Sequence, residues 1–256
     1  MRALVGPVPE PAERANSTLR RCPRGTVALD GATSDVALVH RSPDTADLWV
    51  ALPMAHAETI PPGGVSARLA VLAVILGGAA DGRCRRVVVV DGRVRWSDPR
   101  DQRRAAPDIA RDLPDTALLG VGADLALVRL RAERILLADS DGVTDIAPDD
   151  LATSGPDPFT DLEGIWLEHL NDPRCGVVPR LALRVCRCLP AERPLLVGID
   201  RAGVDLEYEG RDDRTHLRRL PFAEACVTVA DLGRQIRLLA GCPPARYALD
   251  RAALRP

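Results

Sequence analysis

Lysine is absent from the 256-residue chain, so all 34 of its basic side chains are arginines. Without lysine, the chain can hold neither a Schiff-base lysine for pyridoxal phosphate nor the lysine of a nucleotide-binding P-loop. Both of these enzyme classes are therefore excluded. Replacement of lysine by arginine is typical of GC-rich coding, so we interpret this bias as genomic rather than functional.

Aromatic residues are also scarce, at 3% of the chain, and they provide few platforms on which the bases of a single-stranded nucleic acid could stack. The 36 acidic residues offset the arginines, and the net charge is -2. No overall positive field therefore attracts nucleic acid or anionic lipid. We expect neither a nucleic-acid partner nor a membrane partner.

The seven cysteines contain no CxxC pair and are irregularly spaced. Cys186 and Cys188 stand close in sequence, but two thiols fall short of the four ligands of a structural zinc site, so we expect no metal. Residues 1–11 are rich in proline and do not look like a signal peptide. The longest apolar run, residues 69–80, is shorter than the ~20 residues of a spanning helix. We therefore expect a cytoplasmic protein with reduced thiols.

The first part of the chain reads mainly as short strands separated by turns, which predicts a small barrel or sandwich. The predicted strands are residues 27–29, 36–40, 48–52, 125–138 and 143–146. Residues 65–76 are rich in alanine and leucine and predict a helix, and residues 99–111 predict a polar helix or loop. Asp91-Gly92 suits a type I′ turn, so residues 87–96 predict a hairpin.

Glycine and proline at residues 155–158 mark a boundary, after which helices dominate first and strands follow. Asp157 as a cap and Pro158 at the first helical position predict a helix that starts there. Further elements are predicted as a helix at 177–189, strands at 195–200, 204–209 and 215–220, and a last helix. Thr228 with Asp231 is a capping pair for that last helix, and Gly241 ends it.

Two motifs of the second part, residues 198–206 (Gly-Ile-Asp-Arg-Ala-Gly-Val-Asp-Leu) and 218–222 (Arg-Arg-Leu-Pro-Phe), follow a helix with Trp-Leu-Glu-His-Leu at 166–170. Together they resemble the C-terminal domain of haem-utilisation proteins of the HugZ type, over residues 145–242. Residues 11–14 and 127–133 have weaker counterparts in actinobacterial members. The resemblance implies an α+β protein: a split β-barrel, like that of the FMN-binding pyridoxamine phosphate oxidase, at 10–150, a small α/β domain at 155–242 and a tail at 243–256.

The same resemblance implies a dimer with haem or flavin at the subunit interface. Two histidines of the family pattern are missing: Pro173 and Arg174 stand where relatives carry a second histidine after His169, and residues 242–256 contain none. The usual axial ligation of haem is therefore lost. We expect a protein that binds haem or a related anionic cofactor without efficient haem oxygenase activity.

The candidate cofactor-binding residues are two histidines and four arginines. His40 ends a predicted strand and His56 lies in the loop 53–58; a neutral imidazole can ligate haem iron or act as acid or base, but both also suit purely structural roles. On the predicted hairpin, alternate residues share a face and form a patch for phosphate or haem propionates, the alternative being a solvated surface. The residues of this patch are Arg83, Arg85, Arg93 and Arg95.

Two other classes of function stay open. Gly63-Gly64 could start a helix that binds the phosphate of a flavin, which would suit a flavin- or deazaflavin-dependent oxidoreductase. A cofactor-free interaction protein is the third class. We also expect a homodimer, because Trp49, Trp96 and the apolar residues 65–76 are hard to bury together in one small barrel with open strand edges.

Overall fold

The computed structural model describes residues 6–74, 84–185, 192–210 and 214–241. They belong to two units: Pro9–Thr160, and Asp161–Pro256 together with Met1–Val8. The helices of the first unit are α1 (Pro11–Arg21), α2 (Met54–Ala57), α3 (Pro99–Asp112) and α4 (Pro148–Thr153). Its strands are β1 (Gly25–Leu29), β2 (Ala32–Val36), β3 (Leu38–Arg41), β4 (Leu48–Pro53), β5 (Val65–Val74), β6 (Cys84–Trp96), β7 (Leu125–Asp139) and β8 (Gly142–Ile146).

The eight strands form one antiparallel sheet in the order β2-β1-β5-β6-β7-β4-β3, with β8 also paired to β7. The strands at the two ends of this order, β2 and β3, are consecutive in the chain and are separated by Ala37 alone. The sheet must therefore curl until its ends meet. At that point the Ala37 amide donates to the Ala51 carbonyl over 3.0 Å. The expected α+β fold with a barrel-like first part is confirmed.

Apolar residues are buried on both faces of this curled sheet. The main core lies on the inner face, where strand residues such as Val39, Val50 and Val128 pack with Ala15 and Leu19 of α1. A second, smaller cluster lies on the outer face, where Ile109 of α3 covers Leu38, Ala51 and Leu127. These three strand residues are direct cross-strand neighbours, so α3 lies across β3, β4 and β7.

The predicted helix at residues 65–76 is wrong, because the described part of this segment, Val65–Val74, is the strand β5. Its side chains alternate: Val65, Ala67, Leu69 and Val71 are buried, whereas Leu72 is 43% exposed. Small and apolar residues occupy both faces of the strand, so the composition obscured the period of two that marks a strand. Since β5 buries one face within its own sheet, the expectation of a dimer loses this part of its argument.

The predicted hairpin at residues 87–96 is also wrong, because β6 runs without reversal from Cys84 to Trp96. Asp91 and Gly92 lie inside the strand, at a register shift between β6 and β7. Gly92 opposes Ala132, and a Cβ added to Gly92 would collide with the Arg131 carbonyl oxygen. Glycine is therefore required here by the close approach of a neighbouring backbone rather than by a turn.

The second unit contains α5 (Glu163–Asn171), α6 (Val177–Val185), β9 (Glu192–Asp200), β10 (Gly203–Glu209), β11 (Thr215–Pro221) and α7 (Val229–Leu239). Its three strands pair in the order β11-β10-β9. The predicted capping pair is confirmed, since Thr228 and Asp231 form a full capping box on α7. Asp205 and Glu207 are buried as well as Val204 and Leu206, so most of β10 is covered on both faces.

The first helix after the boundary does not start at Pro158 as predicted. The Asp157 carboxylate accepts the Phe159 amide over 2.8 Å, but it does so in a turn, and α5 starts only at Glu163. Capping residues therefore stabilise a turn here that does not continue as a helix. In the described part of the chain, no helix has the length and apolar character needed to span a bilayer.

Candidate cofactor-binding groove

Four side chains of three chemical types form a row across four adjacent strands on the outer face of the sheet. His40 of β3 is paired with Trp49 of β4, Trp49 with Arg129 of β7, and Arg129 with Arg95 of β6. Directly paired residues in an antiparallel sheet point to the same side, and neighbouring strands lie ~4.8 Å apart. The row therefore carries an imidazole, an indole and two guanidinium groups across roughly 15 Å.

The helix α3 forms the wall beside this row. Asp98 caps α3 by accepting the Arg100 amide over 2.7 Å, and Pro99 occupies the first turn. The buried Gln102 then fixes the helix to the sheet, because its Nε2 donates to the Ser97 carbonyl and its Oε1 accepts the Leu127 amide, at 2.8 and 2.9 Å. An open groove of about 1190 Å³ lies between α3 and the row. We call it the α3 groove.

Trp49 presents a half-buried indole to the α3 groove, and the guanidinium of Arg129 lies 6.0 Å from the centre of its ring. The Nε of Arg129 also lies 3.0 Å from a carboxylate oxygen of Asp47, which holds the guanidinium in place. A guanidinium near an aromatic face is attracted by the ring quadrupole. This arrangement brings an aromatic ring and a fixed guanidinium group together in the groove.

The α3 groove is lined by as many aspartates as arginines. Half of these charges are paired with each other along α3: Arg104 lies 3.9 Å from Asp101, and Arg111 lies 3.0 Å from Asp108. Arg95 differs, since it has no ion pair or hydrogen bond within the described residues. The guanidinium most available to an anionic ligand is therefore that of Arg95.

His40 closes one end of the α3 groove and is almost fully buried. Its Nε2 lies 2.9 Å from Oδ2 of Asp112, the last residue of α3, while Asp112 Oδ1 accepts a hydrogen bond from Arg20 over 2.7 Å. The hydrogen bond from Arg20 and, after it, that with His40 hold the pKa of Asp112 below its ordinary value, although partial burial opposes them.

The other ring nitrogen of His40, Nδ1, is buried and has no hydrogen-bond partner within the described residues. A smaller cavity of about 260 Å³ lies next to the α3 groove. His40 and Asp112 line both of them. Neither nitrogen of His40 is therefore free toward open space: one is held by Asp112 and the other is covered.

The structure separates the residues that the sequence grouped as a site. His40 and Arg95 both line the α3 groove. His56 is exposed on α2 and does not line it, and Arg93 lies on the outer face just beyond it. Arg85 lies ten residues from Arg95 along the same strand, up to about 33 Å away, whereas a hairpin at Asp91-Gly92 would have folded the two ends of this segment together. The predicted residue Arg83 lies outside the described residues.

Three residues of the site were missed by sequence reasoning: Trp49, Arg129 and Asp112. Trp49 had been weighed only as a residue that needs burial. The signal that joins it to Arg129 and Arg95 is the pairing register of β4, β7 and β6, which no local pattern contains. Asp112 meets His40 across 72 residues of sequence.

The groove suits the planar ring and the carboxylates of a haem group but offers no ligand to its iron. The indole of Trp49 suits a planar ring, and the guanidinium groups of Arg95 and Arg129 suit carboxylates. Haem iron needs an axial donor such as histidine, and the nitrogens of His40 are not free to supply one. No three His, Cys, Asp or Glu side chains within the described residues are placed to hold a metal ion together.

Fold and groove together define an α+β protein with a curled, split-barrel-like sheet. The fold is similar to that of a haem-binding protein from Mycobacterium smegmatis, with a TM-score of 0.55 and 18% identity over 92% of this chain and 98% of that chain. At this identity the likeness shows the fold alone.

Two further solved structures are similar at TM-scores too low to support an argument. One is a protein of unknown function from Agrobacterium tumefaciens (TM-score 0.41, 22% identity, 93% of this chain and 100% of that chain). The other is an FAD- and haem-binding protein from Mycobacterium smegmatis (TM-score 0.35, 20% identity, 55% of this chain and 76% of that chain). No family model and no curated protein matches the sequence.

Proposed function

We propose that the protein binds haem, or a related planar and anionic cofactor, in the α3 groove, and that it is not an efficient haem oxygenase. The observation that carries the proposal is the row His40–Trp49–Arg129–Arg95, which combines an aromatic surface with guanidinium groups. The ring would lie against Trp49, and its carboxylates would pair with Arg95 and Arg129. His40, held by Asp112, would close the end of the groove without ligating iron.

Two lines of support come from outside the groove. The protein that shares this fold, from Mycobacterium smegmatis, is described as haem-binding. The motifs at residues 198–206 and 218–222 resemble those of HugZ-type haem-utilisation proteins, in which further histidines serve the haem. Their absence at Pro173, at Arg174 and after Cys242 agrees with weak or absent oxygenase activity in this chain.

Titration of the full chain with haemin, followed by the Soret band, tests the proposal. We expect saturable binding that weakens about tenfold in the variant Arg95→Gln, because a charge-assisted hydrogen bond is lost. Trp49→Ala should weaken it as well. His40→Gln should leave the position of the bound Soret band unchanged, since His40 is no axial ligand. Arg134→Gln, an ion-paired residue outside the groove, is the matched control. A flat titration of the unchanged chain would refute haem binding.

A flavin is the second candidate, and the lack of an available nitrogen on His40 favours it. Because neither nitrogen of this residue is free, a cofactor that needs no axial ligand fits the groove as well as haem does. The protein would then orient a flavin or deazaflavin whose own chemistry transfers the hydride. Fluorescence titration with flavin mononucleotide tests this candidate, and quenching that disappears in Trp49→Ala would support it. If both cofactors fail to bind, the cofactor-free interaction protein is the remaining class.

Assembly, location and domain limits complete the proposal. We propose a cytoplasmic homodimer of an actinobacterial type, with a barrel domain at 10–150, an α/β domain at 155–242 and a tail at 243–256. Cys22, Cys84, Cys175 and Cys226 form no disulfide within the described residues, and reduced thiols are the state expected in the cytoplasm. Trp49 stays half-buried on the outer face, where a second copy could cover it, whereas Trp96 packs against the inner core. Analytical ultracentrifugation at micromolar concentration decides, because a single species at 27.5 kDa would refute the dimer.

A further inference from the structure

Four arginines form a square on the outer face of the sheet where β6 and β7 pair. Arg93 directly opposes Arg131, and Arg95 directly opposes Arg129. Within each strand the two arginines are two residues apart, so all four side chains point to the same side. Their Cα atoms therefore occupy a rectangle of roughly 5 by 7 Å. We call these four residues the arginine square.

Like charges on directly paired residues destabilise a sheet. The register of β6 and β7 creates two such pairs of arginines. Acidic partners do not relieve the repulsion. Asp47 pairs with Arg129, but the other three guanidinium groups have no ion pair within the described residues. Arg93 makes only long hydrogen bonds, of 3.4 and 3.5 Å, to the carbonyls of Gly63 and Gly64.

Two other arginines on the outer face, one on β5 and one on β7, are paired with acids, unlike the excess charge of the square. Arg68 on β5 is bound through two nitrogens by Asp91 of β6, and Arg134 on β7 lies 2.8 Å from Asp145 of β8. Both positions lie close to the square, and each is neutralised by an acid on the neighbouring strand. The chain therefore pairs its arginines on this face and leaves the square with an excess of positive charge.

Access to the square is open on the side of the turn before β5. Gly64 has a φ of +77°, and a Cβ there would meet the Val94 carbonyl oxygen at 2.6 Å and the Arg95 side chain at 2.9 Å. The turn thus lies close against β6. At Gly63, whose carbonyl oxygen lies 3.4 Å from Arg93 Nη2, a Cβ would meet nothing within 4 Å, so the turn is open on that side.

We propose that the arginine square is a binding site for a diphosphate group, either free or carried by a nucleotide. Guanidinium groups grip phosphate oxygens bidentately, and two opposed pairs can each take one phosphate. A multiply charged anion would also remove the repulsion between the opposed pairs. The inference goes beyond haem binding, because haem carries no phosphate. The square shares Arg95 and Arg129 with the α3 groove, whereas Arg93 and Arg131 do not line it.

Isothermal titration calorimetry of the full chain with inorganic diphosphate tests the site. The double variant Arg93→Gln with Arg131→Gln removes two charges from the square and leaves the groove intact. We expect it to bind diphosphate at least about tenfold more weakly than the unchanged chain. The control, Arg68→Gln with Arg134→Gln, removes two paired charges nearby and should stay within about twofold. Without ligand, Arg131→Gln should raise Tm by about 1–3 °C, because it removes a like-charge pair.

Each outcome decides for or against the site. Weaker diphosphate binding together with a higher Tm in the square variants supports the site. If adenosine diphosphate binds more tightly than diphosphate, the natural ligand is a nucleotide. An equal loss of diphosphate affinity in both double variants would overturn the proposed site, since overall charge alone would then explain binding. A flat diphosphate titration overturns it while haemin binding persists. A single-stranded oligonucleotide that binds far more tightly than diphosphate, and loses affinity in the square variant, would overturn the small-molecule assignment.

Discussion

His40 Nε2 lies 2.9 Å from Asp112 Oδ2, and this contact joins the strand β3 to the last residue of α3. It closes one end of the α3 groove and places a carboxylate between His40 and Arg20. The Asp112 carboxylate therefore connects the end of α3 to both β3 and α1.

Stability should depend on the ionisation of Asp112. The pKa of this carboxyl is lowered in the folded chain from 3.8, first by the hydrogen bond from Arg20. The folded state thus binds the proton less tightly than the unfolded state does, so the contribution of Asp112 is complete above pH 3.8 and is lost as pH falls through the lower folded pKa. Urea unfolding of the unchanged chain and of Asp112→Asn is measured from about pH 7 to about pH 3. The difference between their free energies of unfolding should shrink below about pH 4. A constant difference would contradict this.

Gln102 should be a large local contributor to stability. Its amide satisfies the Ser97 carbonyl and the Leu127 amide in a buried position. Gln102→Ala leaves both backbone groups without a partner, which should lower the free energy of unfolding by about 1–3 kcal/mol. Arg103→Ala, an exposed neighbour on the same helix, should change it by less than about 0.5 kcal/mol. Urea unfolding followed by circular dichroism measures both, and equal effects would show that Gln102 is no anchor.

Gly63 and Gly64 should respond oppositely to alanine. Gly64→Ala forces a Cβ onto a residue with φ of +77° and against the Val94 carbonyl, so we expect a loss of about 1–3 kcal/mol. Gly63→Ala meets open space and should be neutral or stabilising by up to about 1 kcal/mol. Thermal unfolding of the two variants side by side gives the comparison. A tolerated alanine at Gly64 would mean that the turn adopts another backbone conformation.

Arg219 should be essential to the second unit. Its two terminal nitrogens contact Asp200 and Asp205, the latter at 3.1 Å, and these two carboxylates raise the pKa of Arg219 although burial by itself lowers it. Arg219→Met removes the cation that both of these largely buried carboxylates contact, which should cost about 3 kcal/mol. Arg218→Met, at the exposed adjacent position, is the matched control. If the two variants unfold at the same urea concentration, the ion pairs contribute nothing beyond surface charge.

Local patterns were enough for much of the fold. The short run at residues 48–52 and the alternation at 125–138 predicted strands that the structure contains as β4 and β7, and Thr228 with Asp231 predicted the start of α7. These signals are local because side-chain period and capping depend on residues only a few positions apart. The class of fold followed from the number of short strands and from the family resemblance.

Where two patterns competed, tertiary pairing decided. The alanine and leucine of β5 suit a helix, and Asp91-Gly92 suits a turn, but pairing on both sides keeps β5 and β6 extended. Propensity is a weak preference that neighbouring strands override. This difference matters for the site, because a straight β6 separates Arg85 from Arg95 and places Arg93 and Arg95 against β7.

The sequence by itself determined the residue types available to a site: no lysine, few aromatics, and candidate residues such as His40 and Arg95. Only the tertiary structure decided which of them meet. The row from His40 to Arg95 and the arginine square both arise from the register of strands far apart in sequence. Register follows from the closure of the whole sheet, since a shift of one residue would turn every side chain of a strand to the other face.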